Sequence, residues 1–327
     1  MISRISHQKG LTLIELMIGA TLGLTLSLTI MTAVINSNEM NREGMKAIEL
    51  TENGRFLNEI LKNDIANAGY YGALSDIPTG GTSPDPCDLD ILNDTVAFPL
   101  QVYNDTTDTD LASKTTCNLK VVPNTDVLVI RRANSVEEDP ASLPTEYNIQ
   151  TTYNDYLIQK STDASLYPYT NKAETEEIRR FLVHIYYVSP CRESDCSSSS
   201  ATDTPTLKRL ELRDGEFTSV AISEGIEQLQ FEFGIDRSEN GIPNESFSGA
   251  DDAYVTEPTD EEIQNTVTVK FYALVRSNDK SNDLTDSNLY DLGRFGFVSG
   301  TTLGENFKRR VFMNLTRVHN IAIKRES

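Results

Sequence analysis

The amino-acid sequence predicts an α+β protein: a long N-terminal helix, its first half of membrane length, packed on an antiparallel β-sheet head with long loop insertions. Three observations lead there. Residues 11–35 form an apolar run with one charge, Glu15, near its start. Apolar residues then recur at three- and four-residue steps as far as Ala68. From residue 126 onward the chain breaks into short segments rich in β-branched and aromatic residues, separated by polar stretches.

The apolar run is about 37 Å long at ~1.5 Å rise per residue, enough to cross a hydrocarbon core of roughly 30 Å with some tilt. Arg4 and Lys9, with no acid before Glu15, orient the N-terminus toward the cytoplasm and put everything after the run outside. A carboxylate costs on the order of 2.5–3.5 kcal/mol at the centre of a membrane helix, so Glu15 is expected near the interface or with a partner. Gly19 and Gly23 have the G-x-x-x-G spacing that lets helices approach closely; two tolerated glycines are the plain alternative. Thr21, Thr25, Ser27, Thr29 and Thr32 make the run less apolar than a permanent anchor. A cleavable signal peptide fits poorly, because the run is too long and no A-x-A-like site follows it. A signal anchor with an accidental Glu is the remaining plain reading.

In the second half of the helix, Met45, Ile48, Leu57, Ile60, Leu61, Ile65 and Ala68 are interleaved with Glu, Lys, Asn and Asp. Gly44 and Gly54 each cost about 1 kcal/mol relative to Ala in a helix interior, so a flexible or kinked segment is expected. The pattern stops at Gly69, with Gly72 soon after. Residues 73–125, rich in Pro, Gly, Thr and Asp with two cysteines, read as a stapled, loop-rich connection. Strands are expected at 126–132, 181–189, 207–213, 227–233, 266–276 and 310–317, with a hairpin turn at Asp214-Gly215. The segments 134–178, 191–206, 237–262 and 277–306 read as polar surface loops.

The formal charge is −20, and removing residues 1–10 makes it two units more negative. That balance argues against broad nucleic-acid binding, which needs clustered positive charge. Short basic runs at Arg131-Arg132, Arg179-Arg180 and Lys308-Arg309-Arg310 read as strand flanks. The four cysteines all follow the apolar run, on the side where disulfides persist. Of three connectivities, the local one is expected, Cys87 with Cys117 and Cys191 with Cys196; the 191–196 spacing alone is a poor zinc pattern. Asp236, Ser238 and Asn240, followed by Gly241, place oxygens at alternate positions like the first half of a calcium loop. The twelfth position is Phe247 rather than a bidentate Glu, with Glu245 close by, and an Asp/Asn turn is the plain reading. No other cofactor is implied. The three histidines are His7, His184 and His319, of which His184 sits in an apolar strand pattern as a core or sheet-face residue. With no G-x-S-x-G, H-E-x-x-H or P-loop, the chain is not expected to be an enzyme.

The stretch Gly10-Leu11-Thr12-Leu13-Ile14-Glu15 resembles the processing site of type IV prepilins and pseudopilins. The resemblance implies cleavage by a prepilin peptidase between Gly10 and Leu11 and methylation of the new N-terminus, with Leu11 where Phe is usual. It implies a leader at 1–10, a transmembrane and later filament-core helix at 11–35, an amphipathic half at 36–72, and a head at 73–327. Thr12, Glu15, Gly19 and Gly23 become the assembly residues, Glu15 pairing with a neighbouring subunit's amine. The family often has Pro near position 32; Thr32 stands here. The blocks Gly54-Arg55-Phe56 with Asp64-Ile65 and Ala68-Gly69-Tyr70-Tyr71-Gly72, and Glu224-Gly225-Ile226 leading to Phe231, resemble the PilW family of minor pilins, with Phe233 where Tyr is more usual.

The resemblance covers residues 10–72 and, in outline, 180–320. It implies a bacterial inner-membrane protein, head in the periplasm and then in the pilus. With other minor pilins it primes pilus assembly and sits at the tip, supporting adhesion and twitching motility. The implied partners are other minor pilins, the major pilin, the prepilin peptidase, the inner-membrane assembly platform and a tip adhesin. A minor pseudopilin of a type II secretion system shares the leader and head type. A surface-binding or DNA-uptake module, resting on the basic clusters at 179–180 and 308–310, is the alternative of another class.

Overall fold

The computed structural model describes residues 10, 12–139, 145–160, 177–193, 196, 204–244, 253–281, 284–304 and 306–326. It contains two compact units, Met1–Ile48 and Glu49–Ser327. One helix, α1 (Leu13–Ala66), runs across their boundary, and both Gly44 and Gly54 are helical within it. In the first unit the side chains of the apolar run are exposed, and this is one helix long and apolar enough to cross a membrane.

The second unit holds the rest of α1 and the strands. After α1 come β1 (Leu100–Thr106), α2 (Asp108–Lys114) and β2 (Thr125–Glu137). Next are β3 (Tyr147–Thr151), β4 (Tyr156–Lys160), β5 (Glu177–Ser189), β6 (Thr206–Arg213) and β7 (Glu216–Glu224). These strands form one antiparallel sheet in the order β1-β2-β5-β3-β4, with β6 and β7 extending from β5. The long β5 pairs with β2 along one edge; its other edge is shared by β3, near residues 177–180, and β6, at 184–189. Asp214 and Gly215 both have positive φ and close the β6–β7 hairpin, so the expected turn is present.

A second antiparallel sheet follows. It is built from β8 (Ile226–Ile235), β9 (Tyr254–Val255), β10 (Thr266–Arg276) and β13 (Arg309–Arg317), in the order β13-β10-β8-β9. Short pieces complete it: α3 (Asp260–Gln264), the hairpin of β11 (Leu289–Asp291) and β12 (Phe297–Ser299), α4 (Gly300–Leu303) and α5 (His319–Glu326).

Two cores result. In the first, Leu57, Leu61 and Ile65 of α1 belong with Leu128, Ile130 and Tyr186 of one sheet and Leu229, Phe231 and Phe271 of the other. In the second, the opposite face of the first sheet is covered by Leu92, Val96, Leu111 and Leu119 from the connection after α1. The central strand β5 is therefore buried on both faces along most of its length, which explains why it reads as a near-continuous apolar run.

Four readings of the sequence change. The head contains two main sheets, not one. Residues 134–178 are not all surface loop: β3 pairs with β4 and β5, and Ile149, Gln150 and Thr151 are buried. Its Asn, Gln and Thr residues hid it, because their polarity reads as loop while backbone pairing holds them inside. Within 277–306, β11 pairs with β12, and Ser281, Asp286 and Leu292 are buried. Residues 237–262 hold β9 and the start of α3, whose Thr259–Glu262 capping box satisfies the helix start.

The α1–β13 contact depends on Gly54. A Cβ there would lie 2.2 Å from the Phe312 ring. Gly54→Ala gains about 1 kcal/mol of helix propensity, but overpacking of this kind typically costs 1–3 kcal/mol. The substitution is expected to lower the melting temperature of the full chain in detergent, and Phe312→Leu is expected to be less harmful when combined with Gly54→Ala than in the wild type.

Candidate functional site

The start of α1 carries its own cap. The Thr12 amide and hydroxyl donate to Glu15 Oε2 at 3.1 and 2.9 Å, and the Glu15 amide donates to Thr12 Oγ1 at 3.3 Å. This is a capping box, satisfying donors that a helix start leaves open. The sequence reading left Glu15 without a partner in its own chain; the structure gives it Thr12. Gly10 is exposed before this box, while Leu11 and residues 1–9, the expected leader, lie outside the described residues. Along the apolar run each hydroxyl is held by a carbonyl of the preceding turn: Thr21 to Met17 and Ile18, Thr25 to Leu22, Ser27 to Gly23, Thr29 to Leu26, Thr32 to Thr29. A Cβ at Gly19 or Gly23 meets no described atom within 4 Å.

The end of α1 is where the helix meets the sheets. Gly69 has φ +74°, and its amide donates to the Arg131 carbonyl at 3.0 Å. A side chain there would strike Ile77 and Pro99. The Tyr70 carbonyl accepts from the Ala133 amide, Tyr71 is buried, and Gly72 again takes positive φ. The Asp64–Gly72 block is thus a helix-to-sheet junction in which two glycines take the conformation that other residues resist.

Asp64 is its centre. Buried beneath the last turns of α1, it accepts from Arg132 Nε and Nη2 at 3.1 and 2.9 Å on Oδ1. On Oδ2 it meets His184 Nδ1 and Tyr186 Oη, each at 2.5 Å, with Arg209 at 3.9 Å. Burial alone raises this carboxyl's pKa, but the His184 hydrogen bond and imidazole, the Arg132 guanidinium and the Tyr186 hydroxyl outweigh it. The result is an acid held well below the usual carboxylate range. Beside Asp64, Glu211 takes Arg209 and Arg213, and Glu146 takes Arg180 at 3.2 Å. Arg132, His184, Glu146, Arg180, Arg209, Glu211 and Arg213 line a polar cleft of about 260 Å³ on the first sheet. Asp64 was visible as part of a motif; its partners, which come from distant strands, were not. His184 does lie on the sheet face, bonded to Asp64.

Elsewhere, Cys87 joins Cys117 and Cys191 joins Cys196. Asp85 lies near the first bridge, but its carboxylate accepts from the amides of Cys87 and Thr116, and both sulfurs are bonded to each other. Asp236, wholly buried, turns its carboxylate onto the amides of Ser238, Asn240 and Gly241 at 3.2, 3.2 and 2.7 Å. That is the geometry of an Asp/Asn turn; Glu245 and Phe247 lie outside the described residues. The basic clusters are largely internal. Arg179 and Arg309 are buried, Arg309 being held by Glu227 and Asp286, and Arg131 is fully buried against the Phe98 carbonyl and Gln101. Of the clusters at 179–180 and 308–310, Arg180 and Lys308 are half-buried and Arg310 is exposed.

A second buried carboxylate ties the two sheets together. Asp126 of β2 accepts the Phe231 amide of β8 at 2.8 Å and the Asp105 amide at 2.9 Å. Burial, with Asp105 and Glu257 adding negative field, pushes its pKa up to about 7 despite both amides.

Residues 185–320, from β5 through the start of α5, match the family model of the type IV pilus-assembly protein W, PilW. Over that stretch, about two fifths of its length, the chain is similar to PilW. No curated protein and no solved structure matches it. The matched region contains all of the second sheet, Tyr186, which bonds Asp64, and the β6 side of the cleft, Arg209, Glu211, Leu212 and Arg213. The match supports involvement in type IV pilus assembly, and the N-terminal apolar helix, the one of membrane length among the described residues, is consistent with a membrane-anchored pilus component.

The two carboxylates act in different pH windows. Asp64, with a lowered pKa, stabilises the fold above the ordinary carboxylate range and loses that contribution as pH falls below about 4. Asp126, with a raised pKa, favours the fold most below about 4 and loses that contribution as pH rises through 7, by up to ~1.4 kcal/mol per unit. The PilW-like chain is expected to melt at a lower temperature at pH 7.5 than at pH 5. Asp126→Asn, which can serve only one of the two amides, is expected to cost about 1–3 kcal/mol at pH 5 and to flatten that slope. Asp64→Asn is expected to cost about 3–5 kcal/mol at pH 7, with the difference shrinking below pH 4.

Proposed function

We propose that this PilW-like chain is a non-enzymatic minor pilin. A prepilin peptidase cuts it between Gly10 and Leu11, and the new N-terminus is methylated. The apolar part of α1 holds it in the inner membrane with the head outside, until the assembly platform moves it into a complex with other minor pilins. That complex starts the filament, contacts the major pilin and remains at the tip, where it supports adhesion and twitching motility and presents a tip adhesin. The observation that carries this reading is the PilW match over 185–320 on a chain whose single apolar helix follows an exposed Gly10. Because that family's description names pilus assembly, it favours a pilus over a type II secretion system.

Assembly then rests on α1. Gly19 and Gly23 have open space around them in the single chain, the room a neighbouring helix needs for close approach. Glu15, already capped by Thr12, offers its carboxylate to a neighbour's amine within a low-dielectric bundle.

Intact mass of the membrane-extracted protein, measured without reductant, tests the processing step. Loss of residues 1–10, gain of one methyl group and a deficit of four hydrogens are the expected result. An uncut chain beside an active prepilin peptidase would overturn it. Glu15→Ala is expected to leave membrane insertion intact and to reduce incorporation into filaments; normal incorporation in that variant would count against the assembly role.

A further inference from the structure

We infer that the cleft beside Asp64 is a binding site for a small carboxylate-bearing ligand. The sheet face that α1 covers around Leu128, Ile130 and Tyr186 continues past Asp64 into an open polar hollow of about 260 Å³. A hollow of that size has room for a di- or tricarboxylate or one acidic sugar.

Its charges do not balance internally. The guanidiniums of Arg132, Arg180, Arg209 and Arg213 face Asp64, Glu146 and Glu211, within a chain whose net charge is −20. The two inner arginines are fully engaged: Arg132 by Asp64 and the Ala133 carbonyl, Arg209 by Glu211 and Tyr186. The two outer arginines are not. Arg180 gives Nη1 to Glu146 at 3.2 Å, and its side chain is about one third exposed. Arg213 gives one nitrogen to Glu211 and is more than half exposed. Their remaining donors have no acceptor among the described residues. A guanidinium presents paired N–H groups that match the two oxygens of a carboxylate, and two such forks at the mouth of one hollow select a ligand with more than one acid group. Leu182 and Leu212 supply the apolar part of the lining, against which the ligand's carbon skeleton rests. Because the site is recessed, salt screens it less than an exposed pair.

The test is calorimetric titration of citrate into the full chain in nonionic detergent at constant ionic strength. Saturable binding with one site per chain is expected. The double variant Arg180→Gln, Arg213→Gln should weaken it at least tenfold, with a cooperative melting transition retained as the check that the fold is kept. Glu146→Gln releases the Arg180 fork and should tighten binding several-fold, a gain that a purely structural ion-pair network does not produce. Absence of saturable binding to the wild type, or an affinity unchanged by both the double variant and Glu146→Gln, would overturn the assignment.

Discussion

A carboxylate removed from water is stable only if its oxygens are fully engaged, and the geometry around Asp64 follows from that requirement. Its donors come from β2 and β5, with β6 within reach, so the acid can be satisfied only when these strands and the end of α1 are in one register. The apolar residues nearby, Leu61 and Ile65 among them, contribute most of the burial but little direction; a helix can slide or rotate over such a surface at modest cost. Asp64 removes that freedom. The positive-φ glycines that follow then turn the chain sharply enough for Gly69 and Tyr70 to join the backbone bonding of β2.

The elements with strong periodicity were legible in the sequence. Strand β10 occupies the expected residues because Val267, Val269, Phe271, Ala273 and Val275 alternate cleanly toward the core. The Asp214-Gly215 turn was legible because few dipeptides accept two positive φ values in succession. Strands β3 and β4 were not, since Asn148, Gln150 and Thr151 are polar residues kept inside by sheet pairing. The Asp64 network was hidden for a different reason. Its bonds join residues 68 and 120 positions apart, and no local pattern records such a distance. The sequence drew attention to Asp64 and His184 separately without joining them.

The placement of the arginines reverses what a list of basic runs suggests. Arg131 is fully buried against a carbonyl and an amide rather than a carboxylate, and its pKa is lowered to about 10 by desolvation. Arg309 is enclosed by Glu227 and Asp286, which also anchors the insertion before β13 to the second sheet. Much of the positive charge is therefore engaged inside the head. Acids are enclosed with it: Asp64, Glu211, Glu227, Glu232 and Asp286 are buried as well, so the basic runs of the sequence serve the interior as partners of buried carboxylates rather than forming a surface of their own sign.

The hydroxyls of the apolar helix have a consequence for how readily it changes surroundings. Thr21, Thr25, Ser27, Thr29 and Thr32 each give their hydrogen to the backbone one turn back, so no hydroxyl proton is left to seek a partner outside. A helix made this way is chemically self-contained. Lipid tails and the flanks of other helices present it with nearly the same polar demands, namely none. Moving between the two environments requires no exchange of hydrogen bonds along these residues, only a change in which methyl groups touch which.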